Sequence, residues 1–483
     1  MKSFLIAFIF LFSGIISIAQ DITGNWQGLI PAGGKNLRLI FHVTKSGETY
    51  SAKFDSPDQN AFGLSCSSVT VLNDSLLIGI ELVKGGYKGK WNGKDLITGV
   101  YTQRPGSMAI DLKRVSDAEL PKTPATQIKP QTPKPPFSYT IEEVGYENTV
   151  QKNHLAGTFT KPMNGNKFPV VLMITGSGPQ DRDESIGMHK PFWVIADYLT
   201  KQGIAVLRVD DRGMGKSTGD FRGSTSADFA TDVMAGINYL KTRSDIDITK
   251  IGLVGHSEGG MIAPYVAARS KDIAFIVMLA GPAIGGIQTM YFQAVEKPLA
   301  NLSAHDRNAY GQLYNKMLGR KLDDERGKLD VDQGKDITVY TRNAFMNWKK
   351  KQPDSTLKVL IHGTDEEVIK IMSDGFRDFE RPWGHFFLTY DAAKDLQKLK
   401  IPVFALNGEK DEQVDSKANL AAIKTIFTQN KNTRYKIYEV PGVNHLFQHC
   451  KACGSVSEYL TLDETFDTAT LTIIGSWIKE QVR

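Results

Sequence analysis

A short glycine-rich motif holds the residue best suited to act as a nucleophile. Residues 255–259 read Gly-His-Ser-Glu-Gly, which matches G-x-S-x-G, and they lie between an apolar stretch at 251–254 and a helical pattern at 260–270. In such a strand–turn–helix context the serine is lifted out of the sheet with its hydroxyl exposed. The turn is tight, and the flanking glycines suit it because they carry no side chain. The motif therefore predicts acyl transfer with Ser257 as the nucleophile.

A serine hydroxyl needs a base to accept its proton, and a histidine near the C-terminus is the best placed. His445 follows the predicted strand 435–440, so we expect it in a loop at the carboxyl edge of the sheet, where open sheets form their sites. Asp411 follows the preceding strand, 403–406, and would fix the tautomer of the histidine and stabilise its imidazolium form. Its rivals for this role are Glu409, Glu412 and Asp415. The chain order Ser, Asp, His is one that serine hydrolases use.

Two backbone N–H groups are candidates for stabilising the oxyanion of a tetrahedral intermediate, which needs preorganised donors. One belongs to Glu258, at the start of the helix, where the helix dipole also favours negative charge. The other belongs to Ser177, in the Thr-Gly-Ser-Gly-Pro stretch at 175–179 after the first central strand. Gly178 is the alternative for this second donor.

Two further stretches carry residue types that bind phosphate or metal in other proteins. Residues 210–217 read Asp-Asp-Arg-Gly-Met-Gly-Lys-Ser but lack the P-loop spacing, so we interpret them as scaffolding of the active-site loops. Four potential zinc ligands lie close together near the C-terminus: His445, His449, Cys450 and Cys453. Their spacing differs from the usual zinc-finger patterns, and a local disulfide or two buried thiols is the favoured interpretation of the cysteines. We expect no metal and no cofactor, since a serine triad needs none.

The elements that must position these residues alternate between apolar strands and helices from residue 137 onward. Strands are predicted at 170–174, 205–209, 251–254, 274–279 and 403–406, and helices at 227–241, 261–270 and 417–427. Strands that are apolar on both faces indicate a mostly parallel sheet covered by flanking helices, an α/β fold. The alternation breaks between about 285 and 395, where a polar helical stretch predicts a cap insertion.

The chain before residue 137 has a different pattern. Residues 20–114 show short alternating runs broken by turn signals, among which Asn92-Gly93 is a strong hairpin signal. They predict six to eight short strands in a small all-β, barrel-like domain. Residues 115–136 contain six prolines among Lys, Thr and Gln, and they predict an extended linker. We therefore expect two independently folding units, the second at 137–483.

The first nineteen residues have the pattern of a secretory signal peptide. Lys2 provides a positive start, residues 4–16 are apolar, and small residues at 17 and 19 suit cleavage after Ala19. We therefore expect export to the periplasm or beyond. An uncleaved anchor is the alternative, but the run is shorter than the roughly 20 residues that span a bilayer. No later segment approaches that length, so no integral membrane segment is expected after cleavage.

Charge and composition exclude some partners. The 58 basic and 53 acidic residues are interspersed and leave a net charge of +5, small for 483 residues. No basic stripe with interleaved aromatics is present, so nucleic acid is not expected as a partner. The oligomeric state is not indicated by the sequence.

The motifs together resemble a known family. The second unit is similar to bacterial α/β-hydrolases of the serine aminopeptidase-like group, and more narrowly to exported two-domain carboxylesterases with a β-rich N-terminal domain. The stretches that carry the resemblance are 174–183, 211–213, 255–260, 407–411 and 444–448. Residues 24–113 resemble, less specifically, a lipocalin-like domain of the same proteins. The resemblance implies an α/β-hydrolase fold and hydrolysis of small or medium acyl esters.

Three functions fit these observations to different degrees. The leading hypothesis is a carboxylesterase, for which the aromatic stretch 381–390 would either line an acyl pocket or form the core of the cap. The second is a serine peptidase of the aminopeptidase or dipeptidyl-peptidase type, for which the acidic run 365–367 would bind an amine or simply form a solvated helix face. The third is a binding protein on an inactive hydrolase scaffold, and the intact candidates for all three triad roles argue against it.

Overall fold

The computed structural model describes most of the chain after the predicted signal peptide. It describes residues 21–483 apart from residues 33–34, 48, 60, 73, 81–84, 93, 104–105, 122–127, 321–335, 452 and 454–455. The predicted signal peptide and Gly93 of the predicted hairpin therefore lie outside the described residues, as do parts of the predicted linker and cap.

The first unit is an antiparallel sheet curled around its own core. Its strands are β1 Gly24–Ala32, β2 Lys35–Ser46, β3 Thr49–Ser56, β4 Ala61–Ser65, β5 Ser68–Leu72, β6 Ser75–Ile80, β7 Gly85–Trp91, β8 Leu96–Gln103 and β9 Gly106–Val115. They pair in the order β4-β3-β2-β1-β9-β8-β7-β6-β5. Alternate residues face inward, as in β3, and Trp26, Phe41 and Tyr87 form part of one buried cluster. The predicted all-β domain is confirmed, with one strand more than the largest number expected.

The second unit is built on a mixed sheet. Its strands are β10 Tyr139–Asn148, β11 Asn153–Pro162, β12 Phe168–Ile174, β13 Ala205–Val209, β14 Ile246–His256, β15 Phe275–Leu279, β16 Val403–Gly408 and β17 Tyr435–Val440. The order is β10-β11-β13-β12-β14-β15-β16-β17, in which β12 to β17 run parallel and β10 and β11 form an antiparallel edge. All residues of β15 and β16 are buried, because helices cover both faces of the sheet.

Helices cover the sheet and form an insertion above it. In chain order they are α1 Pro191–Lys201, α2 Ser226–Thr242, α3 Glu258–Ala267, α4 Gly286–Tyr291, α5 Ala304–Leu318, α6 Ile337–Lys349, α7 Asp354–Leu360, α8 Asp365–Phe376, α9 Pro382–Thr389, α10 Ala392–Leu396, α11 Ser416–Gln429, α12 Val456–Thr461 and α13 Thr468–Gln481. A π-helix, Phe292–Glu296, and a 3-10 turn, Arg377–Glu380, lie among them. Helices α2, α3 and α11 pack in one core, and α1 and α13 pack in the other. This arrangement confirms the predicted α/β architecture.

The insertion lies between β15 and β16, as the break in the sequence pattern predicts. Helices α4 to α10 occupy it, and most of them share a core of their own that includes Leu313, Phe345 and Phe376. Helices α9 and α10 join the insertion to the rest of the unit, because Phe387, Ala392 and Leu396 belong to the core that contains α2, α3 and α11. A cap with its own core can keep its shape while it covers the carboxyl edge of the sheet.

The described end of the predicted linker is held against the second unit. Lys129 donates to the carbonyls of Leu460 and Leu462, at 2.9 and 2.5 Å. Gln131 accepts from the backbone of Thr465 and Phe466 and donates back to the carbonyl of Phe466. In the part of the chain that the structure describes, no helix is both long enough and apolar enough to span a bilayer.

Candidate active site

The predicted nucleophile lies on a strained turn between β14 and α3. Ser257 has φ 51° and ψ −117°, a backbone conformation that costs a non-glycine residue free energy and tends to occur at functional sites. A hydrogen bond from its backbone N–H to the carbonyl of Leu279 (2.8 Å) holds the turn to the neighbouring strand. A Cβ on Gly255 would lie 2.0 Å from the carbonyl oxygen of Gly259, so a side chain there would prevent the turn from closing. The sequence of the motif therefore dictates its sharp geometry.

The predicted base and its carboxylate form a buried pair. His445 lies in the loop after β17, and its Nδ1 is 2.8 Å from Oδ2 of Asp411 in the loop after β16. The other carboxylate oxygen of Asp411 accepts from the backbone N–H groups of Gln413 and Val414, at 2.7 and 2.9 Å. These two donors fix the carboxylate, so that its free oxygen points at the histidine.

The three rival carboxylates lie elsewhere. Glu409 accepts from the backbone N–H of Gly442 and is exposed. Asp415 caps α11 by accepting from Lys417 and Ala418. No hydrogen bond described for either residue reaches His445, and none is described for Glu412. The structure therefore brings Asp411, among the four candidates, to the histidine.

The predicted oxyanion loop lies against the nucleophile. A Cβ on Gly176 would be only 3.2 Å from Cβ of Ser257, so the loop at 175–179 passes directly beside the turn. Asp211 anchors this loop, since it accepts from the hydroxyl of Thr175 (2.6 Å) and from the backbone of Gln180 (2.9 Å). Burial raises the pKa of Asp211 well above its usual value, and these two donors oppose the shift. Ser177 is exposed in this loop, on the nucleophile side of the sheet.

Glu258 occupies the first position of α3, where its backbone N–H has no acceptor within the helix. Its side chain is buried and accepts from the hydroxyl of Ser226 (2.6 Å) and from the indole N–H of Trp383 in the cap (2.9 Å). Burial raises the pKa of Glu258, while hydrogen bonds from Ser226, Ser177 and Trp383 lower it. One side chain thus ties the turn to the oxyanion loop and to the cap.

The stretch 210–217 has the structural role that the sequence indicates. Asp210 accepts from Arg182 through both carboxylate oxygens, at 3.0 and 2.7 Å. The guanidinium of Arg212 is buried and donates to Asp232 and to the hydroxyl of Ser224. These charges are used within the protein to hold the loops above the sheet.

Aromatic side chains of α9 lie above the turn. Trp383 stacks on Phe387 with ring centroids 5.2 Å apart, and Phe386 stacks on Tyr390 at 5.3 Å. A separate cavity of about 50 Å³ is lined by residues of the sheet, α2 and α3 that include Gly176, Phe229 and Glu258. The aromatic rings stack on one another, and Trp383 also reaches the site through its hydrogen bond to Glu258.

The order of strands and the positions of the three residues decide the fold family. The central parallel strand β12 is flanked by β13 and β14, and the predicted nucleophile, acid and base follow β14, β16 and β17. The second unit has the α/β-hydrolase fold. Residues 190–371 match the Hydrolase_4 family model, described as serine aminopeptidase, S33, which confirms the predicted resemblance to the serine aminopeptidase-like group.

Relatives of the chain bear the names of esterases and peptidases. Esterase EstD of Thermotoga maritima is 35% identical over 145 residues, which are 30% of this chain and 34% of EstD. Human dipeptidyl peptidase 8 is 31% identical over 152 residues, which are 30% of this chain and 17% of that protein. The chain thus spans about a third or less of each relative. An esterase of Pyrococcus furiosus is similar to the structure with a TM-score of 0.42 and 16% identity, over 72% of this chain and 92% of that one.

Two members of the candidate site were not identified in the sequence analysis. His256 precedes the nucleophile in the motif, and Glu184 lies in the turn after the oxyanion loop; both are buried. Nδ1 of His256 is 3.0 Å from Oε1 of Glu184, and its Nε2 is 3.0 Å from the carbonyl oxygen of His445. The histidine was visible in the motif as a polar residue beside the nucleophile. Its carboxylate partner Glu184, 72 residues earlier, is not marked by any motif or spacing in the sequence.

The potential metal ligands are engaged in other contacts. Cys450 and Cys453 form a disulfide, which agrees with one of the two favoured interpretations. His449 lies with Glu464 and Asp467, with candidate ligand atoms within 4.8 Å of one another. Asp467 caps α13 and Glu464 accepts from the backbone of His449, so protein donors already use these carboxylates. Cys66 is buried in the first unit, and burial raises the pKa of its thiol to about 12.

Proposed function

We propose that this α/β-hydrolase is an exported serine esterase that cleaves carboxylic esters through Ser257, His445 and Asp411. The observation that carries the proposal is the buried 2.8 Å hydrogen bond between Asp411 and His445, in loops at the same sheet edge as the strained turn of Ser257. This combination suits the activation of a serine hydroxyl and has no evident role in stability alone.

The hydrogen bond to Asp411 determines which ring nitrogen of His445 carries the proton. Asp411 can only accept, so the proton of a neutral ring lies on Nδ1 and leaves Nε2 free to act as a base. Ser257 then attacks the ester carbonyl as His445 takes its proton, and the alcohol leaves with that proton. The acyl group stays on Ser257 until water, deprotonated by His445, releases it as the acid.

The oxyanion in each half of this reaction requires N–H donors beside the nucleophile. The backbone N–H of Glu258 at the start of α3 and that of Ser177 in the adjoining loop are proposed for this role, with Gly178 as the alternative to Ser177. Support comes from the contact of Gly176 with Ser257 and from the first-turn position of Glu258. Donors held in place before the reaction stabilise the developing charge without reorganisation.

A serine peptidase is the second candidate, since the family model and one relative bear peptidase names. The acidic run 365–367 does not favour it. Asp365 pairs with Lys349, Glu366 pairs with Arg342, and Glu367 forms a capping box with Thr364. These carboxylates already have partners on an exposed surface, so they are poorly suited to capture the amine of a substrate. The relation to esterase EstD favours esters.

The assay that separates these functions compares acyl groups on a common chromophore. We expect the protein without its first nineteen residues to hydrolyse p-nitrophenyl acetate, butyrate or octanoate and to leave alanyl- and prolyl-p-nitroanilides uncleaved. Ser257→Ala should abolish turnover, whereas Ser107→Ala, a matched change on the exposed surface of β9, should not. Anilide cleavage at a comparable rate would favour the peptidase. No turnover of either class would favour a binding protein.

Export is a separate part of the proposal. It is supported by the charge, apolar run and small residues of the first nineteen positions. When the full chain is expressed with a working secretion pathway, mass spectrometry of the product should give an N-terminus at Gln20. Retention of residues 1–19 on a membrane fraction would contradict cleavage.

A further inference from the structure

The residue before the nucleophile makes two hydrogen bonds that demand two protons on its ring. Nδ1 of His256 faces a carboxylate oxygen of Glu184, and Nε2 faces the carbonyl oxygen of His445, each at 3.0 Å. A carbonyl oxygen only accepts, and so does an ionised carboxylate. A neutral imidazole has one N–H and could therefore satisfy only one of these partners.

Glu184 also holds the oxyanion loop. The same oxygen, Oε1, accepts from the backbone N–H of Gly176 in the oxyanion loop at 2.6 Å. Glu184 has φ 50°, in the left-handed region that non-glycine residues rarely adopt, and this turn aims its carboxylate beneath the loop. The pair is buried, with 8% and 7% of the two side chains exposed, so water does not replace these bonds readily.

From these contacts we propose that the His256–Glu184 ion pair is a positioning device. It holds two loops in register with Ser257: the oxyanion loop and the loop after β17 that carries His445, here called the base loop. This proposal rests on the proposed function. His256 is joined to Ser257 by the chain, Glu184 holds Gly176, and the His256 ring holds the backbone of His445. Both residues act through others, so they are positioning residues and not catalytic ones.

The surroundings of His256 favour the doubly protonated ring. Burial opposes the charge, but the attraction and hydrogen bond of Glu184 outweigh it, and the pKa of His256 is raised. Asp411 adds attraction from the base side. The ring of His445 lies 4.8 Å away and that of Phe447 lies 6.5 Å away, edge-on. Because the pKa of His256 is raised in the folded protein, both hydrogen bonds of its ring are present below that pKa. One of them is lost as the pH rises through it.

The first test removes the charge and keeps the shape. The amide oxygen introduced by Glu184→Gln can still accept from Gly176 and His256, but a neutral amide does not hold the second proton on the ring. We expect the alkaline limb of kcat for ester hydrolysis to move down by about one pH unit or more. At about pH 8, kcat should fall at least roughly tenfold while KM changes little, because the misplacement affects the transition state.

The protein offers a matched control and an activity-independent readout. His449 and Glu464 form a pair of the same kind, 2.9 Å apart, with 60% and 29% of the two side chains exposed. His449→Gln and Glu464→Gln should leave the pH profile unchanged. Long-range ¹H–¹⁵N spectra of protein labelled in its nine histidines should show one imidazolium that persists above about pH 7, absent in His256→Gln and titrating earlier in Glu184→Gln.

The outcomes separate this inference from the proposed function. A neutral His256 ring at about pH 7, or a Glu184→Gln profile that superimposes on that of an active parent, overturns the positioning role. If the parent hydrolyses no ester, the proposed function fails, and the histidine spectra still decide whether the pair is charged. If Glu184→Gln does not fold, the spectra of the unmodified protein decide the protonation state, assigned with His256→Gln.

Discussion

At the level of single residues, the proposed reaction depends on three side chains that follow three different strands of one sheet. Ser257 was evident because G-x-S-x-G followed an apolar strand, and Asp411 and His445 because each followed a later strand. Their mutual contact, 2.8 Å across 34 residues, agrees with that expectation. Glu184 was not predicted, because a lone acidic residue in a loop has no periodicity or spacing that marks its partner.

The role of Asp411 is testable by removing its charge alone. In Asp411→Asn, the N–H groups of Gln413 and Val414 hold the amide oxygen, which turns the amide NH₂ toward Nδ1 of His445. The ring would then carry its proton on Nε2 and could not accept that of Ser257. We expect kcat for ester hydrolysis to fall roughly 10³- to 10⁴-fold with the fold intact. Glu409→Gln is the matched control and should keep the parent kcat. An equal loss of kcat in Glu409→Gln would contradict the role assigned to Asp411.

At the level of helices and strands, the sequence pattern predicted the six parallel strands of the sheet but not its antiparallel edge, β10 and β11. The strands predicted at 170–174, 205–209 and 403–406 lie within β12, β13 and β16, since buried parallel strands leave a plain apolar signal. Contacts between elements had no such signal. The bond from Trp383 in α9 to Glu258 in α3 joins positions 125 residues apart, and only the packed cap brings them together.

The buried carboxylate of Glu258 predicts a pH-dependent stability. Its pKa is raised by burial, so the folded state prefers the protonated acid and loses stability as the pH rises through and above the ordinary range of a glutamate. Glu258→Gln removes this titration. The difference in Tm between Glu258→Gln and the parent should therefore increase in favour of the variant between about pH 4 and about pH 8. A difference that is constant with pH would contradict the shift.

At the scale of the whole molecule, the two units are more closely connected than the proline-rich stretch suggested. A proline-rich composition predicts an extended spacer but says nothing about where it docks. Gln131 bonds the segment that precedes α13, and the ring of Phe466 in that segment stacks on Phe447 of the base loop at 5.2 Å. Leu460 packs against the core of the first unit. The linker, the first unit and the base loop therefore share one surface.

This docking predicts a stability effect for a residue far from the reaction. Gln131→Ala leaves the backbone N–H groups of Thr465 and Phe466 without their acceptor. This should lower the free energy of unfolding by about 1–3 kcal/mol. Thermal unfolding should detect the loss, while kcat below the new Tm changes little. Gln397→Ala, at an exposed position, is the control. Equal Tm values for the two variants would mean that the linker is only a tether.

The most direct test of the account is to identify the atom that carries the acyl group. The protein is allowed to react with a fluorophosphonate or with p-nitrophenyl acetate at low pH, and the adduct is located by mass spectrometry of its peptides. We predict one adduct on Ser257, absent in Ser257→Ala and slowed in Asp411→Asn. An adduct on another residue, or unchanged ester hydrolysis by Ser257→Ala, would show that Ser257 is not the nucleophile.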